Sequence, residues 1–159
     1  MAATWRTLLI VSFIVILDQV TKGLSQALLA PIRTMEIIPH FLHLTYVENP
    51  GVAFGYFEAL PDFLRGPLLT LIPALICFWL VRLINLSRKD AVLVTAYALI
   101  LGGAIGNLFD RVALGFVVDF VDIHFARFRF PAFNISDISI STGIIILFIR
   151  IARGGKAVI

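Results

Sequence analysis

Apolar residues run along this chain in four blocks, at about 7–27, 66–84, 91–109 and 136–149. A helix needs about 20 residues to cross roughly 30 Å of hydrocarbon, so the pattern predicts four transmembrane helices. The intervening stretches 35–48 and 116–130 are β-branched and aromatic with partial alternation, and they predict short strands paired into a small sheet. Asn49–Gly51 reads as a sharp turn between two such runs. Pro67 falls at the start of the second helix, where its missing N–H costs little, and Pro73 falls inside it as an expected kink.

Charge places these elements relative to the membrane. Basic residues stand at Arg6, at Arg82, Arg88 and Lys89, and at Arg150, Arg153 and Lys156. These groups precede the first block, join the second to the third, and follow the fourth. They share one side, which the positive-inside rule assigns to the cytoplasm. Both termini are then cytoplasmic, and the segments 28–65 and 110–135 face outward. Arg111, Arg127 and Arg129 run against the rule only locally.

The fourth block is short for a span, and Asp137 opens it. Thirteen positions separate Asp137 from Arg150, about 20 Å along a helix. Asp137 therefore lies inside the bilayer, somewhat below the outer surface. An ionisable side chain there costs several kcal/mol on most estimates and marks a functional site by default. The same ruler puts Asp18, Lys22, Asn107, Asp110 and Arg111 in the outer third of the bundle. The inner two thirds are nearly free of ionisable groups. A small proton-coupled transporter or channel is the alternative reading of these carboxylates, but it needs polar groups along the whole crossing.

Composition agrees with a membrane-embedded chain. Of 159 residues 60% are hydrophobic and 14% charged, against about a quarter charged in a soluble domain. One domain spanning 1–159 is expected. The first block carries Asp18 and Lys22 and is not followed by a small-residue cleavage site, so it reads as a retained helix. Cys77 is alone inside an apolar run and reads as a core residue. The net charge of +3 sits mostly beside the apolar blocks, without aromatic interleaving, and does not point to nucleic acid. His40, His43 and His124 lack zinc-type spacing, so neither a metal nor another cofactor is expected.

Two readings compete for most of the polar residues. Asp18 and Lys22, at i and i+4, are either an ion pair tying the first helix to its neighbours or substrate contacts. Gly102, Gly103 and Gly106 read as close helix packing. Asp119 and Asp122 interrupt a strand-like apolar run; Asp122 reads as a solvent-facing position, and the same reading is the alternative for Asp119. For Asp119 a functional reading gains from Asp137. Eighteen residues separate them, across a connection that leaves and re-enters the membrane surface. Two carboxylates meeting in a partly desolvated site cannot both ionise easily, which leaves one acid and one base to activate water.

Five blocks in this order resemble the lipoprotein signal peptidase (signal peptidase II) family. They are Asp18-Gln-Val-Thr-Lys22, Glu48-Asn-Pro-Gly-Val-Ala-Phe-Gly55, Gly102-Gly-Ala-Ile-Gly-Asn-Leu-Phe-Asp-Arg111, Val117-Val-Asp-Phe120 and Phe133-Asn-Ile-Ser-Asp137. Ser136 stands where the family usually carries Ala, and Pro50 is a less usual residue after the asparagine. The resemblance implies a four-helix membrane bundle with a small extracytoplasmic antiparallel β-cradle. It implies Asp119 and Asp137 as the catalytic pair. Asp18, Lys22, Asn49, Asn107, Arg111 and Asn134 would bind substrate or support that pair. It further implies an aspartic endopeptidase of the bacterial cytoplasmic membrane that works at the outer leaflet. Its substrates would be diacylglyceryl-modified prolipoproteins, cut N-terminal to the lipidated cysteine. Its implied partners are these substrates, membrane lipid and globomycin-type inhibitors, and a monomer is expected.

Overall fold

The computed structural model describes residues 2–51, 61–125 and 128–155. Four helices, α1 (Ala2–Leu29), α2 (Asp62–Leu86), α3 (Ala91–Leu114) and α4 (Ile135–Ala152), accompany four strands, β1 (Thr34–Ile38), β2 (Leu42–Asn49), β3 (Val117–Phe125) and β4 (Phe128–Arg129). All four helices are long and apolar enough to cross a membrane. Each extends beyond its apolar block. Asp62 starts α2 four residues before Gly66, so Pro67 lies inside the helix rather than at its start.

Helix α3 is the hub and packs against α1, α2 and α4. Leu80, Leu83 and Ile84 of α2 meet Leu93, Tyr97 and Leu101 of α3 in one buried cluster. Small residues bring α4 close on the opposite side. A Cβ on Gly143 would lie 2.6 Å from the Ala96 carbonyl, and one on Gly103 would run into the Ser136 carbonyl. Close approach lets Ser139 Oγ donate to the Leu99 carbonyl at 2.8 Å. Lipid offers no hydrophobic gain for helix association, so such contacts and interhelical hydrogen bonds hold the bundle.

At one end of the bundle lies a four-stranded antiparallel sheet in the order β1-β2-β3-β4. The 35–48 run is itself a hairpin. The chain turns at residues 39–41, where His40 takes a positive φ of 59° and donates its backbone N–H to Glu36. Asn49–Gly51 follows the end of β2, with Gly51 at φ 90°; residues 52–55 of the second family-like block lie outside the described residues. Leu29, Tyr46, Val118 and Phe120 pack together and seat the sheet on the end of α1.

The sheet corrects the solvent-facing reading of Asp122 and removes that alternative for Asp119. Val117–Phe120 is buried without alternation, because α3, α1 and the 133–135 segment cover this half of β3. Asp119 is 2% exposed and Asp122 1% exposed. Asp122 takes two hydrogen bonds from Arg129 of β4, at 2.6 and 3.2 Å, and an ion pair from His124 at 3.0 Å. Burial opposes its ionisation, but the bonds from Arg129 and His124 outweigh that and hold its carboxyl below the usual range. Asp122 is therefore a clamp within the sheet.

Ser136 gives a stability prediction. It is fully buried, its backbone N–H donates to Asp18 Oδ1 at 2.9 Å, and its hydroxyl has no partner. A buried hydroxyl without a partner costs about 1–3 kcal/mol. Ser136→Ala keeps the Cβ and the backbone bond, so it should stabilise the protein by about 1 kcal/mol after allowance for the small void. A melting curve in detergent checks this, and a lower midpoint would mean that the hydroxyl has found a buried partner.

Candidate active site

The site grows from the N-terminus of α4. Asn134 caps this helix by accepting the Asp137 N–H at 3.0 Å, and Asp137 Oδ2 accepts the Asn134 N–H in return at 3.2 Å. This reciprocal box satisfies two of the amides that a helix start leaves open. It also fixes the Asp137 carboxylate through local backbone geometry. The Asn134 amide nitrogen is then free to donate elsewhere, and it reaches Asp119 Oδ1 at 2.7 Å and Asn107 Oδ1 at 3.1 Å. Asn107 passes its own N–H to Asp137 Oδ1 at 2.8 Å. Asn49, at the end of β2, donates to Asp119 Oδ2 at 2.8 Å, while its oxygen accepts the Gly51 N–H at 2.9 Å.

One β-bulge contributes to this alignment. β2 pairs Leu44 with Val121 but Val47 with Asp119, so it carries one residue more than β3 between them. A bulge bends and twists its strand and can re-aim side chains beside a site. Here it lies between the regular end of the hairpin and Asn49. Asp119 and Asn49 face the same opening as Asp137.

That opening is a cavity of about 860 Å³ between the sheet and the helices. Asn49, Asn107, Arg111, Asp119 and Asp137 line its polar part. Leu69 of α2 and Ile138, Ile145 and Phe133 give it apolar walls. Burial pushes the Asp119 carboxyl up to about 6; the Asn49 hydrogen bond opposes the shift and the neighbouring Asp137 adds to it. The Nε of Arg111 is buried beside these carboxylates and has no hydrogen-bond partner among the described residues.

Asp18 and Lys22 do not line the cavity; they are buried behind it. The Lys22 ammonium has three donors and three acceptors. It bonds Asp18 at 2.7 Å, Asp110 at 2.9 Å and Asn107 Oδ1 at 2.9 Å. Two residues outside the predicted site complete this cluster. Asp110 accepts the Val118 N–H at 3.1 Å and so joins α3 to β3. Gln19 donates to Asp110 at 2.8 Å and to Asp18 at 3.3 Å. Gln19 lay within the first family-like block, yet an uncharged amide on an apolar helix gave no depth signal of its own. Glu48, at the cavity mouth beside Asn49, was also missed.

The arrangement holds two carboxylates from different elements against one shared solvent-accessible space. It couples them through asparagine amides and backs them with a buried cation. Such a pair can divide into one proton acceptor and one proton donor. Among the described residues, no three of His, Cys, Asp and Glu are placed to hold a metal ion. His43 and His124 meet edge to face, with ring centroids 4.5 Å apart in the sheet.

Both the sequence and the fold have counterparts among known proteins. The profile of the family described as Signal peptidase (SPase) II matches residues 10–153. A lipoprotein signal peptidase of Caldanaerobacter subterraneus is 45% identical over 150 residues, covering 93% of this chain and 97% of that protein. One from Aquifex aeolicus is 41% identical over 146 residues, covering 92% and 85%. A bacterial membrane enzyme solved by the in meso method at 1.9 Å superposes with a TM-score of 0.77 at 36% identity, covering 91% of each chain. A second such enzyme, at 2.3 Å, gives 0.79 at 35% identity, covering 92% and 87%. The chain is a multi-pass bacterial membrane protein, and it belongs to the signal peptidase II family of proteases that process lipoprotein signal peptides.

Proposed function

We propose that this chain is an intramembrane aspartic endopeptidase. It removes the signal peptide from diacylglyceryl-modified prolipoproteins by cutting N-terminal to the lipidated cysteine. The observation that carries the reading is the single asparagine, Asn134, that caps the helix of Asp137 and donates to Asp119, with both carboxylates facing one cavity. The substrate class follows from the family and suits an apolar-walled cavity that opens among membrane helices.

Asp137 acts as the base. It sits in the first turn of α4, where the helix dipole favours an anion, and it accepts hydrogen bonds from Asn107 and Asn134. Asp119, pushed up to about 6, holds the shared proton. A water between them gives a proton to Asp137 as its oxygen attacks the scissile carbonyl. Asp119 donates a hydrogen bond to the oxygen that gains charge. When the C–N bond breaks, the departing nitrogen takes a proton from the pair, which is then ready for another water. Asn49 and Asn134 hold Asp119, and Asn107 holds Asp137. The Arg111 guanidinium offers its unused donor to the peptide backbone of the substrate. Lys22 and Asp18 support the pair from behind. The basic end of the bundle faces the cytoplasm, and the site faces the outer leaflet of the inner membrane.

The direct test is incubation of the purified protein with a diacylglyceryl-modified precursor peptide and an unmodified copy. Cleavage of the modified peptide alone, with the new N-terminus at the lipidated cysteine, is expected. A cut elsewhere, or equal cleavage of both, would reject the assignment of the bond.

A pH–rate profile tests the division of roles. Activity requires the proton on Asp119 and is lost as pH rises through its pKa, which is about 6 without substrate. Substrate excludes water and raises that value further, so the alkaline midpoint should lie at or above 6. Activity also falls at low pH, once the second carboxyl is protonated. The bond from Asn49 stabilises the Asp119 anion, so Asn49→Ala should move the alkaline midpoint upward even as the rate drops. A fixed midpoint in that variant would remove Asp119 as the proton holder.

A further inference from the structure

The end of the bundle farthest from the carboxylate pair carries a second candidate site. Arg6 of α1, Arg82 of α2, Arg88 and Lys89 of the α2–α3 turn, and Arg150 and Arg153 at the end of α4 gather there. Asp90 is the one carboxylate among the described residues at this end, and it is already committed. Its Oδ1 caps α3 by accepting the Val92 and Leu93 N–H groups at 3.1 Å, and its Oδ2 pairs with Arg150. The rim therefore keeps a surplus of positive charge.

Within this rim, a groove of about 290 Å³ runs between α3 and α4. Val92, Ile146 and Ile149 form its apolar side, and Arg150, Arg153 and Gly155 close its polar end. Arg153 makes no hydrogen bond or ion pair through its side chain with a described residue. The negative end of the α4 dipole is partly masked here. The Arg153, Gly154 and Gly155 amides return to the carbonyls of Ile149, Ile151 and Arg150 at 3.1, 2.9 and 3.0 Å. The arginine side chains then set the sign of the groove.

We propose that this groove binds an anionic glycerophospholipid. The phosphate would sit against Arg153 and the Arg150 edge, and an acyl chain would run along Val92, Ile146 and Ile149 toward the hydrocarbon. The match is one of charge and polarity together: a cationic end continuous with an apolar slot at the depth where headgroup meets chain. A basic residue near a membrane surface contributes about one kcal/mol of attraction to anionic lipid, which is about a five-fold change in occupancy. The inference does not depend on the peptidase reading, since the two sites are at opposite ends of the bundle.

Native mass spectrometry of the full chain in detergent, with equal phosphatidylglycerol and phosphatidylcholine, tests it. The native protein should retain phosphatidylglycerol preferentially. Arg153→Gln should lower that retention about five-fold, and Arg153→Lys should largely keep it. Arg82→Gln, on the same rim but outside the groove, should change little. Equal retention of the two lipids, or unchanged retention in Arg153→Gln, would overturn the proposal. So would an equal loss in Arg82→Gln, which would mean diffuse rim charge. Displacement of the lipid by inorganic phosphate would overturn it as well, by making the groove a phosphate site.

Discussion

Asp119→Asn and Asp137→Asn should each reduce prolipoprotein cleavage by at least about 10³-fold while the protein still folds in membranes. The proposed reaction needs one carboxylate to take a proton from water and one carboxylic acid to return it. An amide can do neither. Folding should survive because Asn nearly matches Asp in shape and keeps one acceptor oxygen. In Asp119→Asn the new NH2 faces one of two donors, Asn49 or Asn134. Rotation of the half-buried Asn49 amide moves that conflict to its bond from the Gly51 N–H, at a site open to the cavity, so the stability cost should stay near 1 kcal/mol. In Asp137→Asn the capping oxygen is retained toward the Asn134 N–H. Asp122→Asn is the control. It breaks the two-bond clamp with Arg129 and should destabilise the sheet by about 1–3 kcal/mol, yet it leaves the reacting pair intact. Rates from initial cleavage of a lipidated peptide, beside melting curves, separate these outcomes. A folded Asp119→Asn or Asp137→Asn protein within about ten-fold of native activity would remove that residue from the mechanism.

Much of this architecture was legible because membranes impose strict rules. Hydrocarbon thickness turns residue counts into depth, so Asp18, Lys22, Asn107 and Asp137 could be set at a common level without coordinates. Helix packing was legible in the same way at Gly103, whose hydrogen faces the Ser136 carbonyl. The sheet was less so. Alternation signals a strand with one wet face, whereas Val117–Phe120 is covered on both. The solvent-facing reading adopted for Asp122 failed for that reason, as did the same alternative for Asp119, and the two buried carboxylates have different partners. Asp122 meets a guanidinium, which keeps it ionised, whereas Asp119 has only amide donors to set against the cost of its burial and a neighbouring carboxylate. Strand pairing decides those partners, and no single-chain pattern reports it. The 39–41 turn was hidden as well, because His40 adopts a positive φ without a glycine to announce it. Gln19 and Asp110 were overlooked as site residues because the partners that draw them into the cluster, Asp110 for Gln19 and Lys22 for Asp110, lie on other helices.

The second large effect concerns that supporting cluster. Lys22→Met should destabilise the protein by about 3–5 kcal/mol, on the order of 10 °C in melting temperature. Among the described residues Lys22 supplies the only positive charge bonded to Asp18 and Asp110, and all three are at most 3% exposed. Removing it strands two carboxylates in a region with little water, where desolvation is not repaid. It also takes a donor from Asn107, the residue that holds Asp137. A substrate-contact role predicts otherwise, namely a weaker KM with an unchanged melting point. The double variant Lys22→Met/Asp110→Asn distinguishes the cause. It lowers the stranded charge from two to one, so it should melt above Lys22→Met alone although it carries one more change. The Val118 N–H would still find the asparagine oxygen in place of the carboxylate. A Lys22→Met protein that melts within about 2 °C of native would show that the ion cluster does not hold the helices together. If its KM alone had risen, Lys22 would return to the substrate.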